Sequence, residues 1–379
     1  MTLLWEVQCY CSCTKLRFES EGGMLQIIAY TGGWKSPSRV YRVQEYLAPL
    51  REYGIDMREC ASWAGAYPPA RTWLRPAWGV WNLLDRLPDV VRSYRYDLVF
   101  FQREMLSTYV TWEPMTKKPR VFDVDDAIWT HPRGEFAARL AGLCDLIICG
   151  NNFLAEQFSR WNPRVTVLPT PVNTKLFCPS VAPLKKKRDI IGWMGLPFGL
   201  KFLYGVERAL AEVLRRHRDA VLRVVSSSCP QFRLLSPGQV EWIPWSREEE
   251  VRSIQEMTIG IMPLDDSVRS RGKCSYKMLL YMACGVPVVV TPVGMNAEVL
   301  AKGNVGFGAA TEEEWIDNLS MLLSRPRLCA EMGTAGREVV SKHFSVETLV
   351  PALAKALSAF RTEVPTRVVQ ETGNSSKIL

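Results

Sequence analysis

Short, almost uncharged apolar runs recur along this chain with helix-forming stretches between them, and the series runs twice. LQIIAY, IDMREC, YDLVFFQ, PRVFDVD, DLIICGN and VTVLPT make the first series. DIIGWMG, AVLRVVS, VEWIPW, IGIMPL and VPVVVT make the second. Strands that read as continuous apolar runs, rather than alternating apolar and polar, are buried on both faces. Interleaved with helices, they specify parallel sheets covered on both sides. Between the two series lies CPSVAPLKKKR, with two prolines and four consecutive basic residues. It reads as a linker or solvated hinge, with an anion site as the other reading.

The expected fold class is therefore α/β, with two Rossmann-like parallel-sheet domains facing across a cleft. The expected division is a poorly ordered extension over 1–23, a first domain over 24–177, a linker over 178–188 and a second domain over 189–345. A C-terminal helix over 346–361 is expected to pack back on the first domain, and 362–379 to be a disordered polar tail. Regular structure is expected from Met24, which reads as the true start, because the first 23 residues lack the basic region and cleavage site of a signal peptide.

Composition narrows the setting. No apolar run in the 379 residues reaches the ~18 needed for a membrane span. The net charge of +8 suits a binder of phosphorylated or polyanionic ligands, or a protein at a membrane surface. Eleven scattered cysteines read as core residues of a reduced, cytoplasmic protein, Cys144, Cys149 and Cys284 among them. The run Cys9, Cys11, Cys13 has no matching second cluster for a metal, and none is expected.

Open α/β sheets bind ligands outside the carboxyl ends of their strands. Two loops there carry glycine after a strand, at Gly33 and Gly195, without a dinucleotide fingerprint; each is read as a ligand approach or a plain turn. After Gly195 come a short loop and then Lys201, one turn into the next helix and within reach of a phosphate. In RGKCSYKMLLYMACGVPVVVTPVG, Lys273 precedes a helix that Ser275 is placed to cap. Cations at the positive end of a helix are unfavourable unless an anion is bound there. Arg271, Lys273, Lys277 and the backbone near Cys274 and Ser275 are thus a candidate diphosphate site, anchored by the apolar helix body.

Three carboxylates, Asp123, Asp125 and Asp126, follow a buried strand. They are candidate acids for polarising a hydroxyl, or else a helix cap and salt-bridge partners of Arg39, Arg42 or Arg103. Glu298 either favours a helix start or contacts donor hydroxyls. Residues 61–81 hold four tryptophans with arginines between, read as an acceptor or membrane-surface element or as a packed helical hairpin. Residues 24–120 carry fourteen Lys/Arg against nine Asp/Glu, a basic bias.

The stretch from Lys277 through YMACGVPVVVTPVG to Leu300, preceded in order by YDLVFFQRE, PRVFDVDDAIW, LCDLIICGNNFLAEQF and VTVLPTPVNTKLF, resembles the GT-B glycosyltransferases. The resemblance is to the retaining group called group 1 or family 4, over roughly residues 24 to 360. It implies a nucleotide-diphosphate sugar held by the second domain and an acceptor, whether glycan, lipid-linked or small-molecule, held by the first. It also implies that no cofactor or metal is required, with Lys201 and Arg271 or Lys273 stabilising the leaving diphosphate. Gly272 and Leu280 stand where that family has two glutamates, the second of which holds the ribose. No histidine stands after the fourth strand, so the acids around Asp123 take its place as candidates. The rival readings are a non-catalytic nucleotide-sugar-binding protein and another GT-B enzyme such as an epimerase. A nucleic-acid partner is not expected.

Overall fold

The computed structural model describes residues 23–34, 36–65, 68–180 and 188–361. The expectations for the N-terminal extension, the basic part of the linker and the C-terminal tail lie outside these residues.

The first series of apolar runs becomes β1 (Leu25–Thr31), β2 (Ile55–Ala61), β3 (Leu98–Gln102), β4 (Arg120–Val124), β5 (Leu146–Cys149) and β6 (Val165–Val167). They pair in parallel in the order β2-β1-β3-β4-β5-β6. Between them run α1 (Pro37–Arg39), α2 (Glu45–Arg51), α3 (Arg75–Arg92), α4 (Glu135–Leu143) and α5 (Asn152–Phe158). The second series becomes β7 (Asp189–Met194), β8 (Ala220–Val225), β9 (Val240–Ile243), β10 (Ile259–Met262), β11 (Val288–Val290) and β12 (Gly306–Gly308). Their order is β12-β11-β10-β7-β8-β9, again parallel. The helices here are α6 (Leu200–Gly205), α7 (Glu207–Arg216), α8 (Arg247–Gln255), α9 (Val268–Arg271), α10 (Tyr276–Ala283), α11 (Met295–Leu300), α12 (Glu312–Ser324), α13 (Pro326–His343) and α14 (Val346–Ser358).

Two helical stretches are interrupted in ways that matter for the site. The run after β1 is not one α-helix. A π-turn over Val40–Gln44 joins α1 to α2. The wider turn sends Arg39 and Arg42 to different partners, and such turns are frequent at functional sites. The helical stretch after β7 breaks between α6 and α7 at Val206.

The two sheets are tied together at one end of the cleft. Helix α14 lies against the first domain, its Leu349, Val350, Leu353 and Leu357 packing with Val43, Tyr46 and Leu50. Arg337 on α13 donates to the carbonyls of Thr174, Phe177 and Ala283, which pins the crossover segment to both domains.

Candidate active site

A cavity of about 580 Å3 lies between the two domains. Its first-domain wall is the turn after β1 and the π-turn: Trp34, Arg39, Tyr41 and Glu45 line it. Its second-domain wall comes from loops after β7 and β8, the start of α8, and α10. The rings of Tyr41 and Tyr276 meet across the cleft at 4.3 Å between centroids.

Lys273 and Lys277 line this cavity. Lys273 holds its ammonium 5.5 Å from the Phe198 ring centroid, and Lys277 holds its own 4.5 Å from that of Trp193. Among the described residues neither forms an ion pair. Lys277 is half-buried, and burial together with the neighbouring charge of Lys273 lowers its amine from the usual 10.5 to about 7. Gly195 makes room for it: a Cβ there would stand 2.9 Å from the Lys277 nitrogen and 2.8 Å from the Trp193 ring.

Ser275 occupies the N-cap position of α10 in the left-handed conformation, φ +51°. Its hydroxyl does not cap the helix. It donates to Asn296 Oδ1 at 2.7 Å, so the first N–H groups of α10 have no side-chain cap among the described residues. Uncapped N–H groups with cations beside them form an anion-binding corner. Leu280, five residues along, also lines the cavity although it is 1% exposed.

Other expected donor residues sit elsewhere. Lys201 lines an adjoining cavity of about 320 Å3 with Asp265, Thr311 and Glu312; Phe202 and Leu264 separate the two. Arg271 does not line the main cavity but pairs with Asp266 at 2.7 Å on the surface. Cys274 is buried against the first domain, its thiol donating to the Asp125 carbonyl at 3.2 Å. Gly33 lies in the turn before Trp34 with φ 133°. Glu298 accepts from Asn152 of the first domain at 2.9 Å.

Among the acids, Asp123 is set apart by its partner. It is fully buried under the cleft, where Arg42 grips both carboxylate oxygens. The same guanidinium donates to the Leu168 carbonyl at 2.8 Å. Burial pushes the Asp123 carboxyl up while Arg42 opposes it. Of the two roles expected for Asp123, an acid for the acceptor or a salt-bridge partner of Arg39, Arg42 or Arg103, this geometry favours the salt bridge, with Arg42 as the partner. Asp125 and Asp126 are half-buried and line neither cavity. Asp125 Oδ1 is buried and has no hydrogen-bond partner among the described residues. Asp126 accepts from the Ala127 amide at 2.9 Å. Arg39 lines the cavity, pairs with Glu59 at 2.5 Å and lies 4.4 Å over the Trp34 ring. Arg103, in a left-handed turn with φ 67°, lies 3.5 Å from Glu104 and outside the cavity.

Sequence reasoning missed Glu250. It is 5% exposed, lines the cavity, and accepts long contacts of 3.4 Å from the Tyr41 hydroxyl and the Trp245 indole. Burial raises its carboxyl above the ordinary range. In the sequence it is one of three glutamates opening α8, indistinguishable from acids that favour a helix start.

The family model "Glycosyl transferases group 1" matches residues 191–325, the stretch that supplies Gly195, Lys273, Lys277 and Glu250. The whole chain has the GT-B fold of solved glycosyltransferases. It is similar to sucrose-phosphate synthase from Thermosynechococcus elongatus, with a TM-score of 0.67 and 15% identity over 89% of this chain and 99% of that one. It is similar to Anabaena HepE in complex with UDP and glucose, with a TM-score of 0.66 and 13% identity over 89% and 100%. WaaG, a glycosyltransferase involved in lipopolysaccharide biosynthesis, gives 0.61 and 12% over 88% and 99%. A search of curated proteins found no match. Gly272 is pressed against the first domain, where a Cβ would stand 2.6 Å from that of Ala127. A glutamate side chain has no room there in this arrangement of the domains.

Proposed function

We propose that the protein moves a sugar from a nucleotide-diphosphate sugar to an acceptor hydroxyl, with retention and without a metal. The observation that carries this reading is the pair Lys273 and Lys277 in the cleft cavity, without acid partners among the described residues, beside the uncapped start of α10. The diphosphate lies against these ammonium groups and the α10 amides. As the bond from the sugar to its phosphate oxygen lengthens, negative charge grows on the diphosphate, and fixed cations in a half-dry site stabilise it. Each such charge-assisted contact contributes ~1.5–3 kcal/mol. That supply of positive charge supports a metal-free reaction, and retention follows the group 1 resemblance. HepE, bound to UDP and glucose, supports the donor class.

The nucleoside lies towards Trp245 and Glu250, and the sugar points into the cleft. Asp125 and Asp126 remain the acids on the acceptor side. The acceptor is a glycan, a lipid-linked molecule or a small molecule, and the protein acts in the cytoplasm with a peripheral membrane contact.

A second reading, a nucleotide-sugar-binding protein without turnover, is favoured by Gly272 and Leu280 at the positions of the two family glutamates. One experiment tests both. Thermal shifts are measured with UDP, GDP, ADP and their sugars, and the best donor is then incubated without acceptor. A ligand at a hundredfold excess over Kd stabilises by ~2.7 kcal/mol. A clear shift with slow hydrolysis of the donor is expected. A shift with neither hydrolysis nor transfer to any acceptor supports the second reading; no shift with any nucleotide sinks both.

A further inference from the structure

Helix α3 is built inside out. The side turned to the protein carries Asn82, Arg86 and Val90. Asn82 donates to the Gly65 carbonyl at 3.1 Å. Arg86 donates to the carbonyls of Cys60, at 2.8 Å, and Thr31, at the ends of β2 and β1. These bonds fix the rotation of the helix, because turning it would strand a buried guanidinium and the carbonyls it satisfies. The side turned outward carries Val80, Trp81, Leu84, Leu87 and Val91, each between 39% and 67% exposed. Their spacing of three and four residues makes a single stripe along a helix of 18 residues, about 27 Å long.

The surroundings of the stripe are aromatic and basic. Trp73 precedes it, 71% exposed, and Tyr94 follows it, 62% exposed. Trp63 is tied to the helix through its backbone amide, which donates to Asp85 at 2.9 Å. The Trp63 ring in turn meets that of Trp34, a lining residue of the cleft cavity, at 5.5 Å. Arg71, Arg75 and Arg95 are exposed and form no ion pair among the described residues. Of the two acids of α3, Asp89 is paired with Arg92, while Asp85, hydrogen-bonded by Ser62 and Trp63, keeps one negative charge against the three arginines. The free charge around the stripe is therefore positive.

We infer that α3 is a membrane-docking helix, lying in the plane of an anionic bilayer surface with its Val80–Val91 stripe in the interface and Arg71, Arg75 and Arg95 among the phosphates. A water-exposed apolar face of this length belongs against another apolar phase. Tryptophan and tyrosine at its ends suit a boundary that is apolar on one side and wet on the other. The unpaired arginines choose an anionic surface over an uncharged one. The contact chain from Asp85 through Trp63 to Trp34 leads from this surface to the cleft, so docking brings the cavity wall near the bilayer. The inference rests on α3 and not on sugar transfer.

The test is flotation of the full chain with vesicles of phosphatidylcholine alone or mixed with phosphatidylglycerol. The protein is expected to float with the mixed vesicles and to remain in solution with the neutral ones. Trp81→Gln/Leu84→Gln/Leu87→Gln, all at exposed positions, should lower partitioning by roughly tenfold or more with an unchanged melting temperature. Arg71→Gln/Arg75→Gln/Arg95→Gln should lose about fivefold per arginine on anionic vesicles only. Quenching of the unmodified protein's tryptophan fluorescence by brominated acyl chains gives a reading that needs no variant to fold. The inference is overturned by absence of both flotation and quenching, or by a stripe variant that floats like the parent. It is also overturned by a solution dimer that the stripe variant dissolves, which would make a second copy the occupant.

Discussion

Replacing Lys277 by methionine should make the protein more stable and less able to hold its donor. An amine held at about 7 instead of 10.5 is disfavoured in its charged form by roughly 5 kcal/mol. The unfolded chain keeps the ordinary value, so between about pH 7 and 10.5 the unfolded state binds more protons. Stability therefore rises with pH across that window, and below it the penalty on the folded state is complete. Methionine keeps a similar stem against Trp193 and carries no charge. It gives up the contact of the ammonium with the indole, worth ~0.5–2 kcal/mol, and the amine is half-buried, so solvent screens part of the penalty. The net gain is then roughly 1–3 kcal/mol below pH 7, vanishing above pH 10. Calorimetric melting of the two proteins across this range measures it. With nucleoside diphosphate, calorimetric titration in two buffers of different ionisation enthalpy should show proton uptake by the parent above pH 7, and none assigned to this site in the variant. Affinity for the diphosphate should fall about tenfold or more, with nucleoside binding nearly unchanged. A variant that melts lower than the parent at neutral pH, or that binds diphosphate as well, refutes the placement of an unpaired cation in a donor site.

Two other substitutions separate structure from chemistry. Asp123→Asn leaves Arg42 buried without its counter-charge, so it should lower stability by about 3–5 kcal/mol while turnover per folded molecule changes little; a large fall in kcat at unchanged melting temperature would return Asp123 to the reaction. Leu280→Glu places a carboxylate in the cavity wall three residues from Lys277. It should destabilise the empty protein by roughly 1–3 kcal/mol and tighten ribonucleotides relative to their 2′,3′-dideoxy forms, as read by titration; equal effects on both would put the ribose elsewhere.

The alternation of apolar runs with helices carries the two-sheet architecture, because a strand covered on both faces needs no tertiary knowledge to recognise. Lys273 and Lys277 were legible for a related reason: a cation at the positive end of a helix is locally unfavourable and calls for an anion. What escaped were choices made by rotation and by distant partners. The stripe on α3 is visible as periodicity, but periodicity alone assigns it to the core. Only the bonds of Arg86 to the ends of β1 and β2 show that it faces out. Asp123 had Arg39, Arg42 and Arg103 as candidate salt-bridge partners in the sequence, and only the fold selects Arg42. Lys201 and Lys277 carry the same charge in loops and helices after strands of one sheet, and the cavities that separate them arise from how α6 and α10 sit on it.

The loop that carries Lys273 belongs to one domain but is held by the other. Asn151 caps α5 with its side-chain oxygen and donates from its nitrogen to the Lys273 carbonyl at 3.0 Å. Cys274 reaches the Asp125 backbone, and Gly272 is flush with Ala127. Spreading the two domains must therefore slacken the grip on the donor's charged end. By thermodynamic reciprocity, a bound diphosphate must resist that spreading by the same factor. On the proposed placement of the diphosphate, nucleotide affinity is thus also a gauge of how far apart the halves stand, and Asn151, which donates to the carbonyls of Arg271 and Lys273 and to the Cys274 sulfur, is one of the residues that sets its zero.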